Sequence, residues 1–299
     1  MNPMHPEARR GHAAAIFTIA LWGTTYISTK VLLRTFTPIK ILIIRFVIGY
    51  LALSVICPRP AKRGTLREEL ILFTAGLSGI TGYYLLEHFS LLYTQASNVG
   101  VIIATAPFFT AMAERIVRVR EDRPGKNFYF GFIVAMSGIC LLSFGGEGAG
   151  IHFLGDLLAL LASVAWSVYS VCSRSISKRD DLSTLQATRR IFFYGIVLFL
   201  PAMFFFDFSP GIRDMIRPVN LANLLYLGFG ASAVCFVTWN FAVKAIGAVR
   251  TSVYIYLTPV VTVVSSVIIL HERITPAALT GIALTLGGLV LSQLKGKNG

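Results

Sequence analysis

Charge is scarce in this chain of 299 residues: Asp, Glu, Lys and Arg together make up 14% of it, where water-soluble domains carry about a quarter. Cysteine is nearly absent. Cys57, Cys140, Cys172 and Cys235 are too dispersed for a disulfide framework and form no CxxC pair, so they read as small apolar packing residues. No polar stretch exceeds about 15 residues, which leaves no room for a soluble catalytic domain. The chain also lacks a Gly-rich phosphate loop, a Walker lysine and a nucleophile elbow. His271, Glu272 and Arg273 stand together without a second histidine at helical spacing, so no zinc site is expected there. These absences argue against an enzyme, and no metal and no cofactor are expected.

What the chain has instead is apolar length. It is 55% hydrophobic, with a mean hydropathy of +0.70. Runs of roughly 20 apolar residues, each long enough to cross a bilayer about 30 Å thick, recur at 12–33, 38–57, 69–91, 97–118, 127–144, 154–175, 184–206, 220–243, 249–270 and 275–294. The expected fold is an all-α integral membrane protein of ten transmembrane helices, with the lipid bilayer as its main partner.

The net charge of +13 could suggest nucleic acid, because basic surfaces attract phosphate. Its distribution points elsewhere. Loops after even-numbered spans hold Arg59, Lys62, Arg63 and Arg67, then Arg115, Arg118, Arg120, Arg123 and Lys126, and later Arg174, Lys178 and Arg179. The loops after spans three and five hold no Lys or Arg. That asymmetry orients a membrane protein with both termini cytoplasmic, and no nucleic acid is expected. The N-terminal "MNPMHPEARRGH" is polar and basic and lacks a small-residue cleavage site, so a cleaved signal peptide is not expected.

The sequence echoes itself about residue 150. "ALWGTTYISTK" (20–30) matches "VAWSVYSVCSR" (164–174), with Trp22 opposite Trp166 and Lys30 opposite Arg174. "FSLLYTQASNVGVIIATAP" (89–107) matches "FAVKAIGAVRTSVYIYLTP" (241–259), with Pro107 opposite Pro259. The expected halves are 1–150, holding spans one to five, and 151–299, holding spans six to ten. Five spans per half is an odd number, so the second half starts on the opposite side and the repeats are inverted. Secondary transporters often use this construction, with substrate held between the halves near mid-membrane.

These stretches, with Arg45-Phe46 in span two, "LGDLLALLASVAWSVYSV" in span six and the Pro, Glu, Gly-Gly order of 247–291, resemble the drug/metabolite transporter superfamily, EamA type. The resemblance runs over essentially the whole chain. It implies a ten-span protein of a bacterial inner membrane, of a kind that often exports amino acids, related metabolites or drugs. One departure is "RVREDRPGKN" (118–127) in place of a short acidic turn, which leaves Glu121 as the nearest counterpart of Glu272.

Several side chains stand out inside the apolar runs. Trp22 and Tyr26 share a helix face, as do Trp166 and Tyr169; they could wall a solute pocket or simply pack the bundle. Thr25 and Ser28 add hydroxyls to span one. Pro107 and Pro259 fall mid-span and disconnect the carbonyls of Ile103 and Ile255; each is either a packing kink or a kink at the cavity. Arg45 and, in span seven, Arg190 recur in both halves and point to a gating or structural charge. Lys30 could snorkel to the outer surface. Ser97 and Asn98 read as an N-cap of span four. Gly131-xxx-Ala135 and Ala283-xxx-Gly287 suggest close packing of spans five and ten, ahead of a dimer contact.

Glu87 and His88 sit side by side in the outer third of span three. Consecutive residues on a helix point about 100° apart, so both cannot face one cavity squarely, while Tyr83 shares the face of Glu87 and Tyr84 reaches either. Their counterparts in the second half are Trp239 and Asn240, so this charge lies outside the duplicated scaffold. A proton carrier, a contact for a cationic solute, and a snorkelling helix end all remain open. The function expected is export of a small metabolite, an amino acid or an amphipathic solute, by alternating access in a monomer. With no ATP site, uphill work would draw on protons or exchange. Import or exchange of a similar solute is the alternative, and a channel-like facilitator is the reading from another class.

Overall fold

The computed structural model describes residues 6–59, 64–117, 126–144, 149–201 and 211–293. Their regular structure is helical, with no strand among the described residues. Helix α1 is Pro6–Leu32, α2 Pro38–Ile56, α3 Leu66–Tyr93 and α4 Ala96–Ile116. Then come α5 Lys126–Phe144, α6 Ala149–Ser177 and α7 Thr184–Phe199. After a single turn at Ile212–Met215, α8 runs Pro218–Ile246, α9 Arg250–Leu270 and α10 Pro276–Gln293. Seven of these, α1 to α4, α6, α8 and α9, are long and apolar enough to cross a membrane, and α5 and α10 are shorter apolar helices. Glu121 and the last five residues of the apolar run 184–206, 202–206, fall outside the described residues.

The outward faces carry large apolar side chains such as Phe17, Val55, Ile133, Val260 and Ile268, while Arg45, Glu87, His88 and Asn240 are buried. Lipid explains this arrangement: it solvates apolar surface, and polar groups retreat inward to find partners. Helix starts are written locally. Thr65 forms a capping box with Glu68 ahead of α3, Ser183 does the same with Gln186 ahead of α7, and Pro38 and Pro218 open α2 and α8. The turn between α6 and α7 is fastened by Arg179, whose Nη2 lies 2.6 Å from Asp181 and whose Nε lies 3.5 Å from Glu68. The guanidinium hydrogen-bonded to it holds the Asp181 carboxyl below its ordinary range.

α5 and α10 lie against each other, as their small residues suggest, but on a different register. A Cβ on Gly138 would sit 2.5 Å from Thr285 Oγ1, and one on Gly288 would sit 2.5 Å from Ala135 N and Gly131 O. Gly287 has nothing within 4 Å of such a Cβ. The tight contact therefore uses Gly288, one residue on from the spacing read in the sequence.

Two irregularities recur. α3 widens to a π-helical turn at Leu77–Gly82 and α8 at Tyr226–Val234. α4 breaks at Ala104–Thr105 before Pro107, and α9 tightens to a 3₁₀ turn at Val253–Leu257 before Pro259. Proline supplies the reason for the second pair, since it cannot donate to the carbonyl four residues back.

Candidate functional site

Trp22 on α1 and Trp166 on α6 approach edge to face, with ring centroids 5.2 Å apart. Their meeting fixes one wall of a cavity of about 420 Å³, its mouth included. Ile19, Thr25 and Tyr26 of α1 line it, with Tyr83, Tyr84 and Glu87 of α3, Ile103 of α4, and Ile255 and Thr258 of α9. The structure thus brings six of the sequence-selected residues around one space: Trp22, Tyr26, Tyr83, Tyr84, Glu87 and Trp166. Tyr169 and His88 stand behind this lining. Pro107 and Pro259 are set back as well, yet Ile103 and Ile255, the residues whose carbonyls those prolines release, are in it. The kinks sit at the cavity without forming its surface.

The two indoles are not equivalent. Trp22 Nε1 donates to Ala231 O at 2.9 Å, a carbonyl presented by the widened turn of α8. Trp166 Nε1 has no hydrogen-bond partner. One ring is held by the scaffold, and the other keeps a donor to offer. Tyr26 and Tyr83 hydroxyls lie 3.5 Å apart on the same wall.

Glu87 and His88 are 2% and 0% exposed, which removes the snorkelling, solvated helix end as an account of them. Their side chains bond directly, Glu87 Oε2 with His88 Nδ1. Only Glu87 lines the cavity, as the 100° offset between neighbours requires. His88 Nε2 has no partner, and its ring stands edge-on to Tyr84 at 5.9 Å. Arg45 completes this group from α2. Its guanidinium lies 4.5 Å from the Tyr84 ring centroid, Nε reaches Ser232 Oγ at 3.1 Å, and Nη2 has no hydrogen bond. Arg45 therefore supports the wall from behind through a cation–π contact. Arg190 lies elsewhere, pairing with Glu69 at 3.1 Å near the starts of α3 and α7.

Several partners were not anticipated from sequence. The Trp239 ring lies tilted against both indoles, its centroid 5.2 Å from that of Trp22 and 5.8 Å from that of Trp166. Asn240 accepts from Tyr169 Oη at 2.8 Å and Ser173 Oγ at 2.7 Å, and donates to Thr188 at 2.9 Å. The pair aligned with Glu87 and His88 thus became an aromatic packer and a neutral amide clamp.

The N-cap expectation for Ser97 and Asn98 is corrected. Gln95 occupies the cap position and supplies no side-chain bond. The carboxylate of Glu272, beyond the end of α9, does so from across the molecule. It accepts from Ala96 N at 3.0 Å, Ser97 N at 3.3 Å and Ser97 Oγ at 2.8 Å. A negative charge suits the positive end of a helix. Lys30 is corrected with it: instead of snorkelling freely, its Nζ lies 3.7 Å from Glu272 and donates to Thr94 O at 2.7 Å.

The sequence profile of the EamA-like transporter family matches residues 9–144 and 153–294. An Archaeoglobus fulgidus protein described as an uncharacterized transporter is 26% identical over 95% of this chain and 97% of its own. A probable terminal-alkyne amino-acid exporter of Streptantibioticus cattleyicolor is 24% identical over 93% of this chain and 91% of its own. A solved crystal structure shares the fold at a TM-score of 0.67 and 18% identity, covering 97% of each chain.

Proposed function

The chain belongs to the EamA-like transporter family, and on that premise we propose that it is a secondary transporter exporting a small metabolite, an amino acid or an amphipathic cation-bearing solute, across a bacterial inner membrane. As a family member it is a membrane transporter of a small molecule and not an enzyme. The observation that carries the finer reading is the cavity. Helices α1, α3 and α4 from one half and α6 and α9 from the other line it, its walls are aromatic, and Glu87 is its one carboxylate among the described residues. Aromatic faces attract an ammonium or stack on an apolar ring, and a buried carboxylate fixes the cation. The unpaired Trp166 N–H offers one hydrogen bond to an acceptor on the solute.

Ten spans in two inverted five-helix repeats, 1–150 and 151–299, give this cavity its setting. Two family matches within one chain, the recurring widened turns and the recurring proline breaks support that reading. The excess of Lys and Arg in the loops after even-numbered spans supports a cytoplasmic location of both termini. Export follows the similarity to an amino-acid exporter, and Glu87 beside His88 is the proton carrier, since a carboxyl that binds solute and proton in turn couples the two flows.

Purified protein in proteoliposomes tests this. A panel of amino acids and organic cations should show saturable flux with counterflow, and efflux of solute loaded in the lumen should be accelerated when the outside is the acidic side, as proton–solute antiport requires. Flux linear in concentration and without counterflow would make the protein a channel-like facilitator instead.

A further inference from the structure

Two ion pairs outside the cavity share one plan. Lys30, at the C-terminal end of α1, reaches Glu272 just past α9, 3.7 Å away. Arg174, near the C-terminal end of α6, reaches Glu114 on α4 at 2.7 Å. Lys30 and Arg174 are the aligned residues of the two sequence echoes. Each base comes from the first helix of its half, and each acid belongs to the fourth helix of the other half or the turn that follows it. In both pairs a more exposed cation covers a less exposed carboxylate: Lys30 over the half-buried Glu272 and Arg174 over the buried Glu114.

The pairs stand at opposite ends of the bundle. Thr94, whose carbonyl Lys30 holds, donates its hydroxyl to Asp156 in the first turns of α6 at 2.8 Å. Arg174 is on the same helix, and the 18 residues between them rise about 27 Å at 1.5 Å each. The cavity, with Trp166 near the middle of α6, lies between the two ends.

We propose that Lys30–Glu272 and Arg174–Glu114 are the two latches of the transport cycle, one closing each end of the path, and the inference rests on the alternating-access reading above. Each pair joins the two halves, which must separate at one end for solute to enter or leave. The Arg174–Glu114 pair lacks the full complement of bonds that a permanent strut would use, whereas Glu272 is also held by three bonds from the start of α4. Glu114 Oε2 is buried without a hydrogen-bond partner, and Lys30 shares its ammonium between Glu272 and a backbone carbonyl. A partly satisfied buried pair gives up less on opening than a closed network. In this structure both latches are formed.

The test reads accessibility from each side. In a background without the native cysteines, Thr258→Cys places a thiol in the cavity wall, and a membrane-impermeant maleimide is applied to right-side-out and to inverted vesicles. Lys30→Met removes one ion pair but leaves Glu272 capping α4. Glu114→Gln removes the other without stranding a buried carboxylate. Lys30→Met should raise labelling from the Lys30 end about tenfold and not from the other, the shift expected when one charge-assisted bond is lost from one of two states. Glu114→Gln should do the reverse. Lys30→Arg and Arg174→Lys keep the charges and should label as the parent does, and Arg174→Gln substitutes for Glu114→Gln if that variant does not fold. Unchanged labelling, or an equal rise from both sides, overturns the latches alone. Fast labelling of the parent from both sides at once is the signature of a pore and removes the transport reading with them.

Discussion

Trp22 and Trp166 meet at right angles, their planes 87° apart, and only Trp22 spends its N–H on the scaffold. A phenyl ring at either position keeps much of the wall and loses the donor. Trp166→Phe should therefore weaken apparent solute affinity roughly fivefold, about 1 kcal/mol, with folded yield unchanged. Trp22→Phe strands the buried Ala231 carbonyl and should lower stability by about 1–3 kcal/mol. Transport kinetics in proteoliposomes beside detergent melting curves separate the two. Equal effects of both substitutions on both measurements would contradict the division of labour.

Orientation is checked by surface thiols. Arg213 and Asp180 are both exposed, the first in the turn before α8 and the second in the turn after α6. Arg213→Cys should react with an impermeant reagent added to intact cells, and Asp180→Cys only after the membrane is opened. The opposite pattern would invert the proposed topology.

The apolar spans were legible because lipid imposes a run length that no loop imitates, and Glu87 and His88 were legible because charge inside such a run has no bland composition to hide in. Trp22 and Trp166 were found through their matching places in the two echoes. What escaped are contacts between distant segments. Glu272 caps a helix 176 residues before it in sequence, and Glu114 meets Arg174 across 60 residues. Neither carboxylate advertises its partner locally, since a Glu at a helix end is ordinary anywhere. Asn98 failed as a cap for the same reason: the local pattern was right for a cap, but a full negative charge from outside took the helix end. Small-residue spacing gave the right helix pair, α5 and α10, and missed the register by one, because Gly287 and Gly288 are indistinguishable until the facing backbone is known.

That register makes a sharp comparison between neighbours. A methyl group on Gly288 would fall 2.5 Å from backbone atoms of Ala135 and Gly131, which cannot swing aside. One on Gly287 meets nothing within 4 Å. Gly288→Ala should destabilise by about 1–3 kcal/mol through overpacking, whereas Gly287→Ala should be neutral or stabilise by roughly 0.4–1 kcal/mol by reducing unfolded-state freedom. Thermal midpoints of the two variants in one detergent decide it. A loss at Gly287 as large as that at Gly288 would mean the helices pack on another face.

The Glu87–His88 pair yields the most consequential test. Glu87 borders the cavity, His88 bonds it from behind, and Arg45 stands across the Tyr84 ring. A carboxyl in this position can hold either a proton or a cationic solute, but an amide of the same shape can hold neither charge nor proton. If Glu87 couples proton flow, Glu87→Gln should abolish flux driven by a pH gradient while leaving solute exchange within about twofold of the parent, because exchange needs no net proton movement. If Glu87 instead grips the cation, the same substitution should raise the half-saturating concentration in both assays by about tenfold or more, the scale of one buried charge-assisted bond. His88→Gln keeps a hydrogen-bonding group behind Glu87 and removes titration there, so it should shift the pH dependence of flux without abolishing it. Parent-like flux and exchange in Glu87→Gln would exclude both roles and leave the pair as packing, with solute recognition resting on the aromatic walls and Trp166.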